Sequence, residues 1–248
     1  MNNVYLLEID FELNGQKQTI TPTILRDKEN TILIDCGYPN FIPLLEEAAA
    51  RHHISLDSIN KIIVTHHDVD HMGSLAALKQ TYPQIEIIAH ELDSPYIEGK
   101  SKPLRVVQAE SNFDELPDEE KTGIEQFIAF LQSVEPTSVD VMVSSGEHLP
   151  WCDGIEIVHT PGHLPGHISL YLPTSKTLIA GDAVVFEEEK LNIANPPFAW
   201  DLDEAVRSVQ KLLEYDIEHL ICYHGGLFHG DINKALNDLL TVYLPLNK

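Results

Sequence analysis

Lys61-Ile62-Ile63-Val64-Thr65-His66-His67-Asp68-Val69-Asp70-His71-Met72-Gly73-Ser74 is the stretch that decides how this chain is read. Ile62, Ile63 and Val64 are β-branched and consecutive, the pattern of a buried strand. Straight after it come His66, His67, Asp68, Asp70 and His71, all able to hold a metal. Imidazole and carboxylate together are the ligand set of zinc, iron or manganese at catalytic positions. If the chain leaves the strand in extended form, side chains alternate, so His66, Asp68 and Asp70 share one side and His67 points away. Gly73-Ser74-Leu75-Ala76-Ala77-Leu78 reads as a helix start, and the turn into it can aim His71 back at the same side.

A second register competes. His67 and His71 are spaced i, i+4, which imitates the His-Glu-x-x-His helix of zinc proteases. That motif needs a helix and a Glu as general base, whereas this run begins at the end of a strand and has Asp68 in the Glu position. The extended register is preferred.

The chain has 248 residues, enough for a full hydrophobic core, and no Pro/Gly/Ser linker divides it. One domain over residues 1–248 is expected. A formal net charge of -23 disfavours nucleic-acid backbones and polybasic membrane anchoring, which both draw on Lys/Arg clusters. The N-terminus lacks the cationic start and apolar run of a signal peptide, and no apolar stretch reaches spanning length, so a cytoplasmic protein without membrane contact is expected. Cys36, Cys152 and Cys222 form no Cys-x-x-Cys pair, so any metal must rest on His and carboxylate.

Short apolar runs suited to strands recur at residues 31–34, 61–64, 85–88, 155–158, 168–172, 177–180 and 219–222. Helical spacing appears between them at residues 41–52, 74–81, 203–214 and 231–242, which makes the chain an α/β layered protein. Residues 91–145 differ: acidic and turn residues run to Glu120, then Ile124, Phe127, Ile128, Leu131 and Val134 share a helical face. That stretch reads either as a peripheral helix covering the core or as a lid inserted beside the metal edge.

Further His and Asp residues stand near strand ends. Thr160-Pro161-Gly162-His163-Leu164-Pro165-Gly166-His167 offers two histidines in a Pro-Gly loop, Ala180-Gly181-Asp182 a carboxylate, and Tyr223-His224-Gly225-Gly226 an imidazole. With these four elements in this order, the chain resembles the metallo-β-lactamase-fold hydrolase superfamily, whose members carry His-x-His-x-Asp-His, Thr-Pro-Gly-His, Gly-Asp and a late His. The likeness to glyoxalase II-like thioesterases and N-acyl-homoserine-lactone lactonases is closest over residues 160–167. The resemblance implies an αββα sandwich, two mixed β-sheets flanked by helices, with the site at the sheet edge. It implies two divalent metal ions, the first held by His66, Asp68 and His163, the second by Asp70, His71 and His224, with Asp182 between them. Asp70 would also carry a proton.

One position departs from that pattern: Asp68 stands where the superfamily usually has its second His. A hard carboxylate oxygen there shifts preference toward iron or manganese, although zinc remains the first expectation. It resembles in kind the Glu of flavodiiron proteins. His167 reads as a residue that orders its loop by hydrogen bonding, and Asp35 as a support for a ligand His. Phe198 and Trp200, in the Pro/aromatic stretch after Asp182, are candidate substrate contacts. The expected activity is hydrolysis of a small-molecule ester, lactone or thioester by metal-bound hydroxide attacking the carbonyl. The alternatives are a non-haem di-iron oxidoreductase and a non-catalytic metal-binding module of the same fold.

Overall fold

A computed structural model describes residues 3–243 except 14, 112 and 116. Met1 and Asn2 of the N-terminal reading, and residues 244–248, lie outside the described residues. Strand β1 (Val4–Leu6) is followed by a hairpin of β2 (Ile9–Leu13) and β3 (Gln16–Ile20), then by β4 (Thr23–Arg26), β5 (Thr31–Ile34), β6 (Lys61–Val64), β7 (Glu86–His90) and β8 (Val141–Val143). The first sheet has the order β1-β4-β5-β6-β7-β8. It is antiparallel from β1 to β5 and parallel from β5 to β8. The second sheet is built from β9 (His148–Leu149), β10 (Ile155–His159), β11 (Ile168–Leu172), β12 (Thr177–Ile179), β15 (His219–Cys222) and β16 (Gly226–Leu227). Its one parallel pair is β12 with β15. A short hairpin, β13 (Val185–Glu187) with β14 (Lys190–Asn192), lies between β12 and β15 in sequence.

The consecutive apolar residues of the central strands have partners on both faces. Ile32, Ile34, Ile63 and Ile88 meet Ile155, Ile157, Ile168, Leu170 and Ile221 between the sheets. Their neighbours Leu33, Ile62, Val64, Ile87 and Ala89 point outward, where Leu45, Ala48 and Ala49 of helix α1 (Ile42–Ala50) cover them. On the far side, Val158, Leu178, Leu220 and Cys222 pack under α7 (Leu202–Leu212) and α8 (Ile232–Tyr243). Full burial of each such Ile or Leu stabilises by roughly 1.5–3 kcal/mol, so period-2 alternation of apolar side chains on both faces holds the layers together. The result is the expected αββα sandwich of two mixed sheets.

The remaining helices are α2 (Val69–Met72), α3 (Leu75–Thr81), α4 (Ser94–Ile97), α5 (Leu104–Ser111) and α6 (Asp118–Gln132). Helix α5 falls where turns were expected. The apolar stripe of α6 is divided: Leu131 is buried and Val134, just beyond the helix, packs on the core, while Phe127 stays 40% exposed.

Candidate metal centre

The chain leaves β6 in extended form only as far as Asp68. There the backbone turns, and the amides of His71 and Met72 both donate to the Asp68 carbonyl at 3.0 Å, opening α2. Asp70 therefore reaches the site from a helical turn and not by strand alternation. His67 points away as expected: its Nδ1 lies 2.9 Å from Asp93 Oδ2 and its ring stacks on Tyr96 at 4.3 Å.

Four other strand ends complete the cluster. Beyond β5, Asp35 adopts φ 59°, a left-handed conformation that few non-glycine residues hold. That backbone aims its carboxylate at Thr65 N–H (2.8 Å), the Thr65 hydroxyl (2.8 Å) and His71 Nδ1–H (2.8 Å). With Nδ1 committed to Asp35, His71 presents Nε2 to the site. The loop between β10 and β11 carries His163, and Gly162 in it sits at φ 129° against α7: a Cβ there would lie 2.1 Å from the Ala205 amide nitrogen. After β12, Gly181 at φ 55° turns the chain to Asp182, whose N–H donates to His167 Nε2 at 2.8 Å. His167 therefore holds its proton on Nδ1, which donates to the Thr160 hydroxyl at 2.9 Å. Burial, followed by its neighbour His163, pushes the His167 pKa down to about 3, so it serves as a neutral brace. After β15, His224 closes the ring, and the Tyr223 hydroxyl fixes α2 by donating to the Asp70 carbonyl at 2.6 Å.

These supports bring all seven sequence-predicted ligands together. His66, Asp68 and His163 form one set whose ligand atoms lie within 4.8 Å of each other, Asp70, His71 and His224 form a second, and His66, His71 and Asp182 form a third group that joins them. Asp182 reaches both: its Oδ1 is 3.4 Å from His71 Nε2 and 3.6 Å from His224 Nε2, its Oδ2 3.5 Å from His163 Nε2. Among the described residues, His66 Nε2, His71 Nε2 and Asp182 Oδ1 are buried with no hydrogen-bond partner. Unpaired buried acceptors are costly, so a converging set of them fits a bound cation. The chemistry and spacing of these donors suit a divalent metal.

The local field is strong. Burial pushes Asp182 up, but His224 and then His71 hold it well below the ordinary carboxylate range. Burial pushes His71 down, yet the charges of Asp182, Asp35 and Asp70 hold it well above the usual imidazole value. Asp68 is likewise held low against burial, chiefly by Arg105.

Arg105, on α5, is the residue that sequence reading missed. Its Nε–H lies 2.9 Å from each Asp68 oxygen, and its Nη2 lies 2.7 Å from Asp68 Oδ2 and 2.7 Å from His163 Nε2. One signal in the sequence bears on it: Asp68 adds a charge that needs a partner, and Arg105 is the single arginine of residues 91–145. The cluster floors a cavity of about 550 Å³ whose walls include Phe127, Leu131, Val185 and Phe198. Trp200 does not line it. The residue is 42% exposed and its main-chain N–H donates to the His163 carbonyl at 3.2 Å, so it fixes the loop through the backbone.

All three cysteines are buried and unbridged, and burial raises the Cys36 and Cys222 thiols far above their ordinary value. No helix among the described residues is long and apolar enough to cross a membrane.

Comparison with known proteins agrees with this geometry. The probable metallo-hydrolase YflN of Bacillus subtilis (strain 168) is 27% identical over 233 residues, which cover 85% of this chain and 83% of that protein. A hydroxyacylglutathione hydrolase of Ruegeria pomeroyi is 26% identical over 160 residues, 64% of this chain and 45% of that protein. Among solved structures, a metallo-beta-lactamase family protein from Thermus thermophilus superposes with a TM-score of 0.71 at 19% identity, covering 98% of this chain and 80% of that one. The family model of the metallo-beta-lactamase superfamily matches residues 19–224, and the chain belongs to that superfamily.

Proposed function

We propose that the protein is a metal-dependent hydrolase acting on the ester, lactone or thioester carbonyl of a small molecule. The observation that carries this reading is the convergence of seven His and Asp side chains, several with unpaired buried ligand atoms, with Asp68, Asp70, His163, Asp182 and His224 lining the floor of one cavity. A divalent metal held there supplies Lewis acidity toward a carbonyl oxygen and acidifies water. The two ligand sets and the central Asp182 offer two neighbouring metal positions, with zinc as the first candidate and iron or manganese as alternatives.

The chain's own groups divide the work. Asp70 is partly exposed to the cavity, with Oδ2 3.2 Å from His224 Nε2, and can hold or return a proton there. Phe127 and Leu131 of α6, with Phe198, give an apolar wall for an acyl or ring portion, and α5 adds Arg105 to the same cavity. The likeness to a hydroxyacylglutathione hydrolase supports a thioester within the substrate range. The charge of -23 and the acidic site disfavour a polyanionic substrate. Three buried, unbridged cysteines support a cytoplasmic setting.

The test is a panel of ester, lactone, thioester and phosphodiester substrates offered to chelator-treated protein and to protein reloaded with zinc, manganese or iron. Hydrolysis of a carbonyl substrate that is lost on chelation and restored by metal is expected. Turnover of phosphodiesters alone, oxygen consumption by the iron-loaded form in place of hydrolysis, or no turnover would overturn the proposal.

A further inference from the structure

Asp68 Oδ2 and His163 Nε2 stand 3.0 Å apart, as two ligands of one cation do, and both are buried. A cationic donor already lies between them: Arg105 Nη2, 2.7 Å from each. A guanidinium only donates, so with the His163 proton on Nδ1 its Nε2 accepts from Arg105 and that lone pair is engaged. That is the lone pair a metal at the first set would need. His71 Nε2 and Asp182 Oδ1, which the second set uses, have no such donor.

Arg105 is firmly held where it is. Its Nη1 donates to Gln108 Oε1 at 2.8 Å and to the Phe198 carbonyl, and its side chain is only 10% exposed. The start of α5 is set by His67, the residue preceding Asp68: the Leu104 N–H points at His67 Nε2 from 3.5 Å, and Asp93 fixes the other side of that ring. The Arg–carboxylate fork is the strong form of ion pair, and losing it would leave two buried charges unpaired. The negative charge that Asp68 adds is thereby matched within the protein.

Resting on the metal-hydrolase reading above, we propose that Arg105 is a resident cation at the first ligand set, so that the two sets are unequal: Asp70, His71, His224 and Asp182 take metal first and tightly, and His66, Asp68 and His163 take it weakly or not at all. Chelator-stripped full-length protein titrated with zinc alone, read by calorimetry and by metal content after dialysis, tests this. Wild type is expected to retain one zinc per chain, with any second bound roughly 100-fold more weakly because a fixed positive charge opposes it. Arg105→Met should bind a second zinc tightly. Since Arg105→Met leaves Asp68 unpaired and can lose its fold, the double variant Asp68→His/Arg105→Met, which buries no lone charge, is measured beside it and should also retain two. Two zinc ions of equal affinity in wild type, or a single zinc in both variants with folding intact, would overturn the inference while leaving the hydrolase reading in place. No zinc bound by any form would overturn both.

Discussion

The two ligand sets that share Asp182 are alike in residue type and differ in what stands behind them. Behind the second set is a carboxylate: Asp35 accepts from Nδ1–H of His71, whose Nε2 faces the site with no hydrogen-bond partner. Beside the first set is a guanidinium: Arg105 bridges the acceptors of Asp68 and His163. A supporting anion makes an imidazole a better ligand, whereas a cation among the ligands competes with the metal. One fold thus prepares two neighbouring positions for different occupants, and the difference follows from Asp68 standing where a histidine is usual.

The largest effect should come from Asp70, the group on the open set assigned a proton. Asp70→Asn is expected to lower kcat/KM by about 10²–10⁴-fold with little change in the unfolding midpoint. Steady-state rates and urea melts on the same preparation check this, and a loss below tenfold would remove Asp70 from the chemistry.

Asp68→Ala should act mainly through folding, because it strands the Arg105 charge in a buried setting. A cost of about 3–5 kcal/mol is expected, recovered in large part by Asp68→Ala/Arg105→Met. A double-mutant cycle by urea unfolding reads the coupling directly. Additive costs would mean that the fork contributes nothing and that the contrast between the sets is weaker than drawn.

Asp35→Asn sharpens the other side of the comparison. It keeps a hydrogen-bonding group near His71 and removes the charge behind it, so zinc affinity should fall about 10–100-fold. The fall should appear in the tight binding event. A change confined to the weak event would reverse the assignment of the two sets.

Phe198→Ala should be mildest. Phe198 is 51% exposed, so stability should shift by no more than about 0.5 kcal/mol. KM for an apolar acyl substrate should rise about tenfold. Equal KM values for polar and apolar substrates would remove it from the wall.

Much of this was legible because the central strands are buried on both faces. Thr31–Ile34, Lys61–Val64 and His219–Cys222 carry consecutive apolar residues, and the structure begins and ends those strands where the pattern does. Strands without that signal were missed. Gln16–Ile20 is exposed at its first four positions, so no alternation marks it as a strand. Helix α5 escaped for a related reason: Leu104 and Val106 are buried, but polar residues surround them. Ligand identity could be read from residue type and order. The guanidinium could not, since the contact that brings Arg105 to Asp68 spans 37 residues. Charge counting gives the reason to look, because Asp68 demands a counter-charge, but not the place.

The central claim, that these His and Asp residues form a metal centre whose two sets differ, is tested most directly by anomalous X-ray scattering at the zinc edge from crystals of reconstituted protein. The account predicts a strong peak bounded by Asp70, His71, His224 and Asp182, with a weaker peak or none between His66, Asp68 and His163. Absence of any peak within the cluster would contradict the account.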